Sequence, residues 1–257
     1  MSDKDRNQNE KAGNSRRTFL RNSGLTVGGL VLGGAVGSLF NVKSDSNAES
    51  ADHKNMVSSS NPNQALMYFT PDQFKTVEAL SETIFPKTES GPGAKELGVV
   101  YYIDHQLAGS WGLNTREYMT GPFYPAKAVP EQGYQTHLKR QQVFDIGIES
   151  INAYSTKKFK KKFQELEKED DKIAILKDFE EDKVKLNSSL SSSFFFSILR
   201  SATIEGVYAD PMYGGNKDMG GWKMKNFPGH QASFTNVLGK DKFVAMKPQS
   251  LNAQHKM

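Results

Sequence analysis

Chemistry in this chain has to come from histidine, carboxylate and hydroxyl groups, because the 257 residues include no cysteine. That absence excludes a disulfide scaffold, a thiolate zinc site, a cysteine-ligated iron–sulfur cluster and a cysteine nucleophile. His105, His137 and His230 lie far apart, and no His-x-x-x-His or His-Glu-x-x-His pair sets two imidazoles on one helix face. A metal centre would have to be assembled wholly by the fold. No Gly-x-Ser-x-Gly elbow is present to start a hydrolase triad. No Rossmann fingerprint follows a strand, and the glycines from Gly214 to Gly221 lack the Gly-Lys-Ser/Thr ending of a phosphate loop. Asp104-His105 sets an acid beside an imidazole, but neighbours on a helix point about 100° apart and form no dyad by adjacency. The expectation is that Asp104 caps or pairs locally and that His105 sits at a surface or interface. A competing expectation has the fold gather Asp104, His105, Asp210 and His230 into a site, which would make the chain a free-standing exported enzyme or small-molecule-binding protein.

The densest cluster of unusual residues runs from Tyr208 to Trp222 (YADPMYGGNKDMGGW) and continues as Phe227-Pro228-Gly229. Its glycine pairs permit positive φ and close backbone approach, Pro211 ends whatever helix precedes it, and Asp210 and Asn216 can satisfy loop amides. Tyr213, Trp222 and Phe227 are large amphipathic side chains of the kind that anchor interfaces. They also bury well, so a packed structural loop covering the last helix is the other reading of the same residues.

The elements that must position this loop read as helices. Thr70-Pro71-Asp72-Gln73 has the form of a capping box with proline at the first helical position, and Phe74, Val77, Leu80 and Ile84 recur at helical spacing up to Pro86. A second helix is predicted over 94–107, on Leu97, Val100, Tyr101 and Ile103. Glycines and prolines at short intervals break up residues 109–130, with Trp111, Phe123 and Tyr124 folding the stretch against the helices. Residues 132–154 predict a long helix, Phe159, Phe163 and Leu166 a short piece, and Ile173, Leu176 and Phe179 another helix. Residues 190–208 (LSSSFFFSILRSATIEGVY) are apolar but carry Arg200 and Glu205, which favours a buried core helix over a membrane span. No alternation long enough for a sheet occurs. The expected architecture is all-α, a single irregular helical domain with long Gly/Pro-rich loops.

The net charge of +4 is spread along the chain: residues 1–60 hold eight Lys/Arg and six Asp/Glu, so residues 61–257 carry 25 against 23. The one dense basic run, Lys157 to Lys162, is followed at once by acidic residues, a pattern of solvated helix surface rather than of a nucleic-acid interface. No nucleic-acid partner is expected. Near the N-terminus, Ser15-Arg16-Arg17-Thr18-Phe19-Leu20-Arg21 matches the twin-arginine export pattern, with Arg16, Arg17, Phe19 and Leu20 at its specified positions. The charge-free 17 residues from Gly24 to Phe40 are too short and too glycine-rich for a spanning helix, which needs about 20. Residues 1–40 are therefore expected to be a signal peptide. Ser46-Asn47-Ala48 is tolerable as a cleavage site, and residues 41–65 read as a flexible linker. The domain then spans 66–232, with 233–257 as a tail.

Glu205-Gly206-Val207-Tyr208-Ala209-Asp210-Pro211, Tyr213-Gly214-Gly215-Asn216, Trp222 and Phe227-Pro228-Gly229 together resemble the gluconate 2-dehydrogenase subunit 3 family. Thr70-Pro71, Phe85-Pro86, Pro92-Gly93-Ala94 and Ile103-Asp104 support the resemblance, which ends at Gln231. It implies a non-catalytic partner of a large FAD-bearing subunit of the glucose-methanol-choline type, which it stabilises and escorts through the twin-arginine translocase. Electrons would leave through the large subunit or a cytochrome c subunit. The chain itself would bind no cofactor or metal and hold no catalytic residue. Tyr208, Asp210, Pro211, Tyr213, Gly214, Gly215, Asn216, Trp222, Phe227 and Pro228 would form or support the partner surface. Family members that carry cysteines differ from this chain, so no disulfide or cluster link carries over.

Overall fold

A computed structural model of the chain describes residues 64–124, 134–186, 190–235, 237–242 and 244–252. The expected signal peptide and nearly all of the expected linker lie outside the described residues. Six α-helices and no strand occur among those residues, in the order α1 Pro71–Ile84, α2 Val99–Ala108, α3 Arg140–Phe159, α4 Glu169–Glu180, α5 Ser192–Tyr208 and the short α6 Gly220–Met224. None of them is long and apolar enough to cross a membrane.

α1 starts where its capping box starts it. The Gln73 N–H donates to Thr70 Oγ1 at 3.3 Å and the Thr70 N–H donates to Gln73 Oε1 at 3.0 Å, so two orphan donors are satisfied reciprocally. The helix closes at Phe85, ahead of Pro86, and buries Val77 and Leu80 completely. α2 begins five residues later than its periodicity predicts. Gly98 takes a left-handed conformation (φ 67°) at the N-cap, which a β-carbon would resist, so Ala94 to Leu97 form a separate turn before the helix.

The larger difference is at α3, predicted from residue 132 and observed from Arg140. Its start is set from outside the helix: Asn114 Oδ1 accepts from the Arg140 N–H at 2.8 Å, and the Gly112 carbonyl accepts from the Gln141 N–H at 3.2 Å. The turn around Asn114 thereby caps a helix 26 residues further on. Val143, Phe144, Gly147, Ile148 and Ile151 form the buried face. The short piece predicted near Phe163 is a 3₁₀ turn, Phe163–Glu165, and α4 opens on Glu169, Asp170 and Asp171, where acidic groups meet the positive end of the helix dipole.

α5 is the hub. It packs against α1, α2, α3 and α4, as its apolar sequence requires, and leaves only the stripe of Ser197, Arg200, Ser201 and Glu205 exposed. Aromatic rings fill the space between: Phe195 lies edge-on to Phe144 (centroids 5.8 Å) and Phe179 (6.2 Å), and Phe144 is edge-on to Trp111 (6.1 Å). Gly147 permits this, since a β-carbon there would collide with the Phe195 ring. The basic run at the end of α3 forms surface ion pairs, Lys158 with Asp178 of α4, Lys161 with Glu167 of the acidic run and Lys162 with Asp72 of α1. Exposed pairs of this kind add little to stability, in keeping with a solvated surface.

Candidate functional site

The stretch after α5 is held in place by close backbone approach. A β-carbon on Gly215 would run into the Gly206 carbonyl, and one on Gly221 into the Val207 carbonyl, so both glycines lie directly against the last turns of α5. The Lys217 N–H donates to the Leu97 carbonyl at 3.0 Å, which ties the same loop to the turn before α2. Pro211–Tyr213 and Lys217–Met219 are 3₁₀ turns, and α6 follows.

Three side chains fasten the loop from within. Asp210 accepts from the Met212 N–H at 3.0 Å, from Ser250 Oγ at 2.6 Å and from the Leu251 N–H at 2.9 Å. Asn216 is fully buried in a left-handed conformation (φ 47°), donating from Nδ2 to the Ala209 carbonyl and accepting the Gly221 N–H on Oδ1, both at 2.8 Å. That conformation is one asparagine tolerates better than most residues. Trp222 is buried, donates from Nε1 to the Tyr208 carbonyl at 2.7 Å and stands edge-on to Phe227 at 5.5 Å. Gly229, at φ 65°, lies against the Trp222 ring. Tyr208 is half-buried, edge-on to Phe85 at 6.3 Å.

The residues assigned to a partner surface thus divide. Asp210, Asn216, Trp222 and the glycines hold the loop together, and Pro228 accepts from the Gln249 N–H at 3.1 Å. Tyr213 and Phe227 present surface, 46% and 49% exposed.

The four residues of the competing reading are not assembled. Asp104 is fully buried and its oxygens accept from the N–H groups of Met67 (2.6 Å), Tyr68 (3.0 Å) and Phe69 (2.6 Å). His105 Nε2 lies 2.9 Å from the Ala65 carbonyl, to which the Nε2–H tautomer donates. The Asp104-His105 pair is therefore a clamp on residues 65–69, with partners much farther along the chain than the local cap the sequence suggests. His230 is engaged through its backbone, N–H to the Gln249 carbonyl at 2.8 Å. No hydrogen bond or ion pair joins any two of these four side chains among the described residues. No group of three or more metal-ligating side chains occurs there either.

A cleft of about 600 Å³ opens beside the loop. Asp210 and Tyr213 form one wall, Tyr102 and Gln106 of α2 another, and the turn from Ser110 to Glu117 with Arg140 of α3 the third. Arg140 is sandwiched between the rings of Trp111 (5.0 Å) and Tyr134 (4.9 Å) and paired with Glu117 at 2.8 Å. Burial pushes the Tyr134 hydroxyl up to about 12, against the opposing pull of Asn114 and Arg140. Burial, and next the Glu205 carboxylate, raise the Tyr102 hydroxyl as well. Both phenols stay protonated at physiological pH. The sequence showed Trp111 as an anchor but not Arg116, Glu117 or Arg140. Arg116 and Glu117 sit in the glycine-broken stretch that caps α3 through Asn114 and Gly112, and Arg140 is the first residue of that helix.

Together these observations define an all-α domain with one long glycine-rich loop whose Asp210, Asn216 and Trp222 side chains serve as scaffolding. The profile of the gluconate 2-dehydrogenase subunit 3 family matches residues 71–229, and the chain belongs to that family. No curated protein sequence and no solved structure matches it.

The ordered part extends past that match. Gly229 and Gln249 form a parallel bridge, and Ser250 and Leu251 reach Asp210, so the expected tail holds down the loop. Removing residues 233–257 is expected to destabilise the domain by roughly 1–3 kcal/mol, because Asp210 loses two of its donors. Ser250→Ala alone should cost about 1 kcal/mol. Urea unfolding checks both, and an unchanged midpoint for the truncated chain would contradict the anchoring role.

Proposed function

We propose that this chain is the non-catalytic small subunit of an FAD-dependent dehydrogenase of the glucose-methanol-choline type, acting on gluconate or a related sugar or sugar acid. It stabilises the catalytic subunit, which carries the FAD, and takes it across the cytoplasmic membrane by the twin-arginine route. Electrons leave through the catalytic subunit itself or a cytochrome c subunit. The observation that carries the reading is the family loop: its Asp210, Asn216 and Trp222 side chains are bonded within the domain, while Tyr213 and Phe227 are left half-exposed on that support. Rigid aromatic groups held ready at a surface lose little on binding, which suits a subunit interface. The twin-arginine pattern at Arg16-Arg17 supplies the export half of the proposal.

The test is fractionation of cells that express the whole complex. Replacing Arg16 and Arg17 by Lys should leave the catalytic subunit and its dehydrogenase activity in the cytoplasm, with the exported share falling at least tenfold. Lysine keeps the charge, so the change removes only the arginine-specific part of the signal. Undiminished export of active enzyme would overturn the escort role.

A further inference from the structure

We infer, on the reading of the chain as an accessory subunit, that the cleft beside the family loop is a socket for an extended acidic segment of the catalytic subunit, gripped by Arg116. The argument begins with which polar groups of the cleft are already engaged. Arg140 is stacked between two rings, paired with Glu117, and donates from Nη1 to the Trp111 carbonyl at 3.3 Å. Asp210 is satisfied by three donors, and the Tyr102 hydroxyl donates to Glu205 at 3.3 Å. Arg116 lines the same cleft, is exposed, and has no ion pair or hydrogen bond among the described residues. It is the one charge in the lining without a partner there, and the planar fork of a guanidinium fits a carboxylate. The Gln106 side chain and the Ser110 and Tyr213 hydroxyls are likewise unengaged among the described residues and can bond to a peptide backbone.

The aromatic lining and the exposed apolar residues beside it suit a polypeptide better than a small anion. Tyr213 (46% exposed) belongs to one wall, and Leu113 and Tyr118 (78% exposed) stand on or next to the turn that forms another. Tyr102, Trp111 and Tyr213 line the cleft together with Arg116 and Arg140, and aromatic side chains around an arginine are the composition of an interface centre. The site is also pre-shaped. Asn114, buried at φ 55°, caps α3, while Thr115 N–H to the Ser110 carbonyl (3.1 Å) and Glu117 N–H to the Asn114 carbonyl (3.0 Å) close the turn that carries Arg116. Little ordering remains to be done on binding.

The experiment uses the full chain and the catalytic flavoprotein subunit that co-purifies with it, separated and recombined at 50 and 200 mM salt. Arg116→Glu is expected to weaken association roughly tenfold or more, and Arg116→Gln to weaken it less and flatten its salt dependence. Tyr118→Ala should weaken it at both salt concentrations. Melting temperatures should stay at the wild-type value, because these side chains support nothing inside the domain. Wild-type chain that fails to bind the flavoprotein overturns the accessory-subunit reading and the socket with it. Wild-type binding that Arg116→Glu leaves intact overturns the socket alone. Competition by millimolar gluconate would assign the cleft to a small carboxylate instead and also overturn the proposal.

Discussion

Replacing Asp104 by Ala is expected to lower the unfolding free energy by about 3–5 kcal/mol, because three backbone N–H groups, one of them buried at Phe69, lose their common acceptor at once. The carboxylate is fully buried, and the donors at Met67, Tyr68 and Phe69 belong to the segment that leads into α1. Water cannot take over at Phe69, which is itself part of the core. For a domain of about this size each kcal/mol lowers the melting temperature by roughly 2–4 °C, so the shift should exceed about 6 °C. Asp104→Asn provides the control. Its amide oxygen can keep Tyr68 and Phe69, which share Oδ1, while its NH₂ faces the Met67 N–H as one donor against another. An intermediate loss is expected. A change below about 1 kcal/mol for the alanine variant, measured by urea unfolding at unchanged slope, would refute the clamp.

The same residue shows where sequence reading reaches its limit. An acid beside an imidazole invites a catalytic interpretation, and periodicity places both on a helix, but nothing local reveals acceptors and donors some 36 residues away. α1 was legible because its start signal, Thr70 to Gln73, lies within one turn. The start of α3 was not, because its cap is Asn114 on a turn far back in the chain. Periodicity also overran Gly98, whose left-handed conformation is a property of one residue that a pattern of apolar neighbours does not register. In the family loop the sequence signalled glycines for close approach, and the collisions that β-carbons would make at Gly215 and Gly221 agree. It did not signal that Asp210 is held by Ser250 and Leu251 from a segment beyond the family resemblance. Arg116 was invisible for the opposite reason: an arginine in a glycine-rich turn looks like ordinary solvated surface until the fold sets Tyr213 and Gln106 around the same cleft.

Trp222→Ala is expected to cost about 3–5 kcal/mol, the range for deleting a large buried aromatic side chain, and to abolish association with the catalytic subunit without touching it. Trp222 is only 5% exposed, so its influence on a partner passes through what it supports. Its indole fixes the Tyr208 carbonyl at the end of α5, carries the Phe227 ring on one side, and meets the Gly229 backbone. Loss of the ring leaves Phe227 without its edge-on neighbour and frees the 228–230 segment on which Gln249 docks. Trp222→Phe separates the two contributions. It keeps most of the packing and loses the hydrogen bond to Tyr208, so it should cost roughly 1–2 kcal/mol and retain most of the association. Hydrogen exchange gives the readout that global unfolding cannot. In Trp222→Ala, amides from 209 to 229 should exchange faster while those of α3 and α4 stay protected. Uniformly faster exchange would mean that the residue is merely part of the core. Protection of the loop equal to wild type would remove Trp222 from any part in shaping the partner surface.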